Sequence, residues 1–191
     1  MSDLRAQLQH GFALGDAWLP WGTLYGELLD AHPGSGRADR RWLDLPCTSF
    51  AGIEVVDSSV HGLHRERPVL RATYGLPRAM ASDAGLARLR ALLDAELGPG
   101  KHETITQIPG FPASGSVRAT SDWIVDRMEV SVSAYATVRE EQYGPSGGRL
   151  YIGPDLVPLA QPYLKAFDAE TEPWSISRGD VERIAIEGER R

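Results

Sequence analysis

The stretch Met128-Glu-Val-Ser-Val-Ser-Ala-Tyr-Ala-Thr-Val138 decides the fold class. From Met128 onward, every second residue is apolar, and a period of two is typical of a β-strand with one face on a core and the other in water. Strands of this one-sided kind are typical of antiparallel sheets. The sequence therefore predicts a long strand in a largely antiparallel sheet, whose apolar face other elements must cover.

A leucine stripe predicts the element that covers this face. Four leucines recur at three- and four-residue steps, and Leu92 widens the stripe that they form: Leu86, Leu89, Leu93 and Leu97. This spacing predicts an amphipathic helix over residues 84–97. Ser82 or Asp83 can cap its first amides, and Gly98 stops it. Together, the strand and the helix predict an α+β fold with helices packed on one face of the sheet.

Further elements are predicted on shorter patterns. Residues 24–31 form a second helix with Thr23 as its N-cap, and residues 3–9 form a short first helix. Ser146 to Gly148 is predicted to form the loop of a hairpin that leads into a strand over 149–152. The remaining strand candidates are residues 41–45, 52–57, 69–74, 103–108 and 181–186.

A short recurrence raises the question of internal duplication. Leu28-Leu29-Asp30-Ala31 returns as Leu92-Leu93-Asp94-Ala95, and each copy is followed later by a strand led by a tryptophan, Trp42 or Trp123. A tandem helix–sheet repeat explains both features, and chance recurrence in a chain rich in Leu, Ala and Asp is the alternative. The prediction is one compact α+β domain over 1–191, with halves near 12–75 and 76–153 and a C-terminal extension over 154–191.

Charge and composition limit the classes of partner that the chain can be expected to bind. With 20 basic against 26 acidic residues, the chain carries a formal net charge of −6, whereas nucleic-acid binders gather positive charge. No apolar run is long enough for a signal peptide or a membrane helix. Cys47 is the only cysteine, which excludes an intramolecular disulfide. We therefore expect a cytoplasmic protein that binds neither nucleic acid nor membrane.

Two motifs resemble catalytic or metal sites and lack what the chemistry needs. His61-Gly-Leu-His64 with Glu66 supplies zinc-type donors, but no third His or Cys stands at a ligand spacing. Gly144-Pro-Ser146-Gly-Gly148 has the letters of a nucleophile elbow, but a strand follows the serine and no histidine follows His102. The sequence therefore predicts no catalytic set, no metal and no cofactor.

A pocket enzyme remains the alternative. Cys47 needs a nearby base or helix N-terminus before its thiol becomes a nucleophile, and a small buried thiol is the commoner role. If the chain is a small enzyme or ligand-binding protein, its pocket lies between helix and sheet and combines acidic residues with these candidates: His32, Cys47, His61 and His64.

Aromatic and arginine side chains favour a different function. Trp18-Leu-Pro-Trp21 places two indoles in a proline-shaped turn before the second helix, and Arg37 and Arg40 follow in a mixed-charge stretch. Trp and Arg dominate the energetics of protein interfaces. Trp42 and Trp123 are expected in the core, between helix and sheet.

The sequence thus predicts a non-enzymatic protein-binding factor. If the duplication is real, the tandem helix–sheet layout is similar to that of small bacterial inhibitor proteins, which suggests an inhibitor or immunity-type protein that occludes a partner. The partner surface is centred on Trp18, Trp21, Arg37 and Arg40. The identity of the partner and the oligomeric state are left open.

Overall fold

The fold is taken from a computed structural model of the 191-residue chain. The structure describes residues 4–35, 42–62, 65–66, 68–69, 71–104, 117–135 and 146–154. All of these except Pro154 belong to one compact unit, Met1–Gly153. No helix in this described part is long and apolar enough to cross a membrane.

The chain forms four helices and eleven strands within the described residues. The helices are α1 (Leu4–His10), α2 (Tyr25–Ala31), α3 (Arg78–Ala81) and α4 (Asp83–Leu97). The first seven strands are β1 (Gly11–Leu14), β2 (Ala17–Pro20), β3 (Trp42–Pro46), β4 (Ser49–Phe50), β5 (Ile53–Glu54), β6 (Asp57–His61) and β7 (Ala72–Pro77). The last four are β8 (Lys101–Thr104), β9 (Val117–Val125), β10 (Met128–Tyr135) and β11 (Ser146–Pro154).

Seven of these strands make one antiparallel sheet in the order β3-β6-β7-β11-β10-β9-β8. Strands β1 and β2 form one separate hairpin, and β4 and β5 form another. One face of the large sheet is apolar and belongs to the core, which also holds buried leucines of α1, α2 and α4. The prediction of an α+β fold built on an antiparallel sheet is confirmed.

The alternation in β10 is confirmed, and the hairpin before it was missed. Met128, Val130 and Val132 are buried, as their period of two predicts. The chain reverses just before them in a two-residue turn, Asp126-Arg127, with φ of 49° and 68°. Such turns usually carry Asn-Gly or Asp-Gly, because both residues take positive φ, so Asp-Arg gave no turn signal.

Helix α1 holds this unusual turn in place. Arg5 Nε donates to Asp126 Oδ2 at 2.5 Å, and Gln9 Nε2 donates to the same oxygen at 2.9 Å. The hydrogen bond from Arg5 is the main reason that the pKa of Asp126 lies below its ordinary value. A tertiary contact therefore stabilises a turn that local sequence preference does not specify.

Helix α4 lies where the leucine stripe places it, with two corrections. The predicted four leucines are buried, and Ser82 Oγ accepts a hydrogen bond from Gly85 N as the N-cap. Leu92 does not widen the buried stripe, since it is 43% exposed. Arg90 lies off the stripe but not in free solvent: it donates to Ser121 Oγ at 2.7 Å and to the Thr120 carbonyl at 3.0 Å.

Helix α2 begins one residue later than predicted. Thr23 does not cap it, because the Thr23 hydroxyl donates to the Pro20 carbonyl at 2.8 Å. The Glu27 side chain instead accepts from the Leu24 amide at 3.3 Å. A glycine is required at position 26, inside the helix, because the Cβ of any other residue would lie 2.7 Å from the Arg65 carbonyl oxygen. The Gly26 amide donates a hydrogen bond to that same oxygen.

Two strand boundaries also differ from the sequence prediction. Ser146 to Gly148 lies inside β11, with a register irregularity there, and does not form a hairpin loop. Residues 52–57 do not form one strand, because β5 ends at Glu54 and β6 begins at Asp57. Residues 105–108 and 181–186 lie outside the described residues.

The duplication stays a prediction. Strands β3, β6 and β7 follow α2, strands β8 to β11 follow α4, and the two sets meet where β7 pairs with β11. Trp42 opens the first strand after α2, whereas Trp123 lies near the end of the second strand after α4, so the two tryptophans do not occupy equivalent positions. The predicted extension, 154–191, lies outside the described residues beyond Pro154.

The leucine stripe generates a stability prediction. Leu89→Ala should lower the free energy of unfolding by about 2–5 kcal/mol, because it leaves a cavity at a side chain that is 3% exposed. Arg88→Ala, on the exposed side of the same helix, should change it by less than about 0.5 kcal/mol. Urea denaturation measures both, and the opposite order would show that the buried face of α4 is wrongly assigned.

Candidate functional site

Trp18 stands at the outer end of a column of three aromatic rings. Its indole is 43% exposed and stacks on Phe50 with 6.2 Å between ring centroids. Phe50 stacks in turn on Tyr74 at 4.3 Å, and both of these rings are buried. The predicted turn at 18–21 is wrong in detail, because Trp18 to Pro20 lies in strand β2. The column connects an exposed indole to the sheet.

The inner end of the column is fixed by hydrogen bonds. The Tyr74 hydroxyl accepts from the Ala13 amide at 3.0 Å and donates to the Ala13 carbonyl at 2.9 Å. Burial raises the pKa of Tyr74 far above its ordinary value, so the phenol keeps the proton that the second bond needs. Since Ala13 pairs with Trp18 in the β1–β2 hairpin, these bonds hold the strand that carries the exposed indole.

Trp21 has a different environment from Trp18. Its Nε1 donates to the Leu8 carbonyl at 2.7 Å, and its ring lies 4.8 Å from the ring of Phe12. Trp21 is half-buried and packs against the main core. These contacts assign it to packing between α1 and the β1–β2 hairpin.

A shallow apolar groove lies between the β4–β5 hairpin and helices α3 and α4. It encloses about 180 Å³ and is lined by Gly52, Ile53, Glu54, Ala79, Met80, Gly85, Arg88, Leu89 and Leu92. Leu92 is a large apolar side chain of this lining that is 43% exposed. Trp18 reaches the same hairpin through Phe50. We call Trp18, the β4–β5 hairpin, Arg88 and Leu92 the Trp18–Leu92 surface.

Two of the pocket candidates, Cys47 and His61, are not brought together in the described part of the chain. Cys47 follows the end of β3 that pairs with Asp57, whereas His61 pairs with Trp42 at the other end of the same ladder. Five residues of extended strand separate the two ends by about 16 Å. His32 is the C-cap of α2, and its amide donates to the Leu28 carbonyl.

The side chains of Cys47 and His61 each have a structural neighbour. The Cys47 thiol is buried and donates to the Ser49 carbonyl at 3.4 Å. The His61 ring packs on Trp42, with 4.7 Å between centroids. No group of three or more His, Cys, Asp or Glu among the described residues is arranged to hold a metal ion. His64, Arg37 and Arg40 lie outside the described residues.

The structure assembles one polar cluster that the sequence analysis missed. Asp94 Oδ1 accepts from the Gly100 amide and from Trp123 Nε1, both at 2.9 Å, and Asp94 Oδ2 lies 3.2 Å from His102 Nε2. These contacts, the Gly100 bond first, lower the pKa of Asp94. They tie the end of α4 to β8 and β9. No local sequence pattern indicates this cluster, because its members belong to three elements.

An acid–histidine pair beside a serine suggests a catalytic triad, since His102 lies directly opposite Ser121 in the β8–β9 ladder. The Ser121 hydroxyl is fully buried, accepts from Arg90 and donates to the Thr120 carbonyl. A nucleophile must present its oxygen to substrate and its proton to the base. The Ser121 hydroxyl does neither, so the cluster is a structural clamp.

The face of the sheet opposite the core is polar, and its groups bind one another. Arg149 Nη1 lies 2.5 Å from Asp57 Oδ1, and the hydroxyls of Tyr135 and Tyr151 lie 2.8 Å apart. Burial, followed by the bond to Tyr135, raises the pKa of Tyr151. The predicted wet face thus carries these two polar pairs, with Ile124 66% exposed on β9.

Comparison of the sequence with protein-family models finds no match, and comparisons with curated proteins and with solved structures find no significant match. The functional assignment therefore depends on the geometry of the chain itself.

The contrast between the two neighbouring tryptophans predicts a difference in stability. Trp21→Ala should lower the free energy of unfolding by about 3 kcal/mol or more, because it removes a packed ring and leaves the Leu8 carbonyl without its donor. Trp18→Ala should cost about 1 kcal/mol, the contribution of one exposed stacking contact. Thermal melts of both variants measure this, and equal losses would contradict the assignment.

The lowered pKa of Asp94 predicts acid sensitivity. Because its pKa is lower in the folded chain than its ordinary value of 3.8, the carboxylate stabilises the fold above that value and stops doing so as the pH falls through the folded pKa. Asp94→Asn should therefore be less stable than the wild type at pH 7, and this difference should shrink below pH 3.8. Denaturant titrations over a pH series measure it. A difference that is constant with pH would exclude the carboxylate as its source.

Proposed function

We propose that this chain is a protein-binding factor that acts by covering a surface of its partner, as inhibitor and immunity-type proteins do. The observation that carries the proposal is Trp18: an indole that is 43% exposed and is stacked on a buried aromatic column. Interfaces obtain most of their binding energy from a few large, rigid side chains, and Trp is foremost among them.

The fixed position of the indole is what makes it suited to binding. Ordering a flexible side chain on association costs binding energy, and a side chain that is already held avoids much of that cost. Phe50 supports the Trp18 ring, and Tyr74 supports Phe50. Leu92, which lines the groove together with the β4–β5 hairpin, adds a second exposed apolar contact.

The alternative, a small enzyme or ligand-binding protein, has less support. A pocket enzyme requires two or more of its candidate groups to meet, and none of the groove's lining residues is His32, Cys47 or His61. Asp94 and His102 form an acid–histidine pair, but the Asp94 carboxylate in that pair also accepts hydrogen bonds from Trp123 and Gly100. An exposed aromatic beside a shallow groove favours binding over catalysis.

We place this function in the reducing cytoplasm of a bacterial cell. Cys47 is a buried, free thiol in a chain that has no second cysteine with which to form a disulfide. The net charge of −6 disfavours a nucleic-acid partner. A protein partner suits this charge balance.

Affinity capture with matched variants tests the proposal. Wild-type chain, a Trp18→Ala/Leu92→Ala double variant and an Ile124→Ala control serve as baits in lysate of the native host, and each captured protein is purified and its Kd measured by calorimetry. Ile124 is a matched control because it is also an exposed apolar residue, on the opposite face of the sheet. We expect the double variant to bind at least about 30-fold more weakly, as the loss of one hot spot implies.

The Ile124→Ala control shows whether a loss of affinity is specific to the proposed surface. Ile124→Ala should leave the Kd within about threefold of wild type, as substitutions outside a hot spot do. A partner whose affinity falls with Ile124→Ala and is unchanged in the double variant would contradict the proposed surface. Circular dichroism of every bait excludes unfolding as the cause.

A further inference from the structure

We propose that the groove of the Trp18–Leu92 surface receives one large apolar side chain from a partner segment that also places a carboxylate at Arg88. This inference rests on the proposed function, since it takes the occupant to be part of a protein. It specifies the chemistry of that partner: an apolar anchor next to an acidic residue.

The size of the groove favours a single side chain. Small-molecule sites enclose about 300–1,000 Å³, and this groove encloses about 180 Å³. Its walls include Ile53 and Leu89, which are 2% and 3% exposed, and Leu92, which is 43% exposed. A buried apolar floor with an exposed apolar rim suits a leucine, methionine or phenylalanine side chain that enters from solvent.

The positive charge on the helix side of the groove, that of Arg88, has no carboxylate partner among the described residues. Arg88 is exposed on α4, one turn before Leu92, and its side chain makes no hydrogen bond or ion pair in the part of the chain that the structure describes. Arg5, Arg65 and Arg149 by contrast each pair with a carboxylate of this chain. A guanidinium binds carboxylates through a rigid fork of donors, so the ligand that suits Arg88 is a carboxylate of the partner.

The hairpin side of the groove sets the direction of the occupant. Glu54 lines that side, is exposed, and also makes no ion pair within the described residues. A carboxylate on the partner is therefore attracted towards Arg88 on α4 and repelled from Glu54 on β5. Because Arg88 and Glu54 carry opposite charges on the two sides of the groove, an occupant that bears a carboxylate has one favoured orientation, whereas a neutral apolar occupant has none.

Two small probes test the chemistry directly. N-acetyl-L-leucine carries a leucine side chain and a carboxylate, and N-acetyl-L-leucinamide carries the same side chain without the charge. Each is titrated into the ¹⁵N-labelled full chain while amide shifts are followed by NMR. We expect saturable shifts confined to the groove, with the acid binding about threefold more tightly than the amide, the size of effect that an exposed ion pair gives.

Two variants within the groove provide the controls. Arg88→Gln should remove the difference between the acid and the amide while both still bind, because the apolar walls remain. Glu54→Gln should increase the difference, because it removes the repulsion. The inference is overturned by the absence of saturable shifts at the groove, by equal binding of the two probes to wild type, or by a preference for the acid that survives Arg88→Gln.

The probe titrations and the affinity capture together separate this inference from the proposed function. If the probes behave as expected but no captured protein depends on Trp18 and Leu92, the proposed function fails and the groove chemistry stands. If capture depends on Trp18 and Leu92 while the probes do not distinguish acid from amide, only the present inference fails. Sedimentation of the chain alone tests a second copy as the occupant: self-association that Leu92→Ala abolishes would overturn the assignment to a different protein.

Discussion

The bonds between the Tyr74 hydroxyl and the backbone of Ala13 hold the β1–β2 hairpin, which carries the exposed Trp18, on the large sheet. A phenol buried in the core would be costly if its hydroxyl were unpaired, and here one hydroxyl both accepts and donates. The bonds attach the β1–β2 hairpin to strand β7 of the large sheet. Phe50 and then Trp18 stack outward from the same ring, so the exposed indole is positioned by a contact deep in the core.

The sequence predicted well the elements whose burial is periodic. The leucine steps of α4 and the alternation of β10 each reflect one buried face. The four stepped leucines and the alternate residues of β10 are buried as predicted, whereas Leu92 is not. The sequence failed where a distant contact overrides local preference. The Asp126-Arg127 turn depends on Arg5 and Gln9 from α1, and the Asp94 cluster joins groups from a helix and two strands.

The candidate site was also beyond what local sequence patterns could predict. Sequence spacing grouped Trp18 with Trp21, because four residues around a proline suggest one turn. In the structure a strand places them in different environments, one open to solvent and one bonded to Leu8. The groove was not predictable either, because Leu92 counts as core by its spacing and is 43% exposed in the structure.

Hydroxyl-radical footprinting of the chain with and without its captured partner tests the central claim most directly, because it reports the exposure of individual side chains in the intact complex. The account predicts that oxidation of Trp18 and Leu92 slows when the partner binds, while oxidation of Ile124, on the opposite face of the sheet, continues at its rate in the free chain. Protection of Ile124 together with unchanged oxidation of Trp18 would contradict the account, since it would place the partner on the polar face of the sheet.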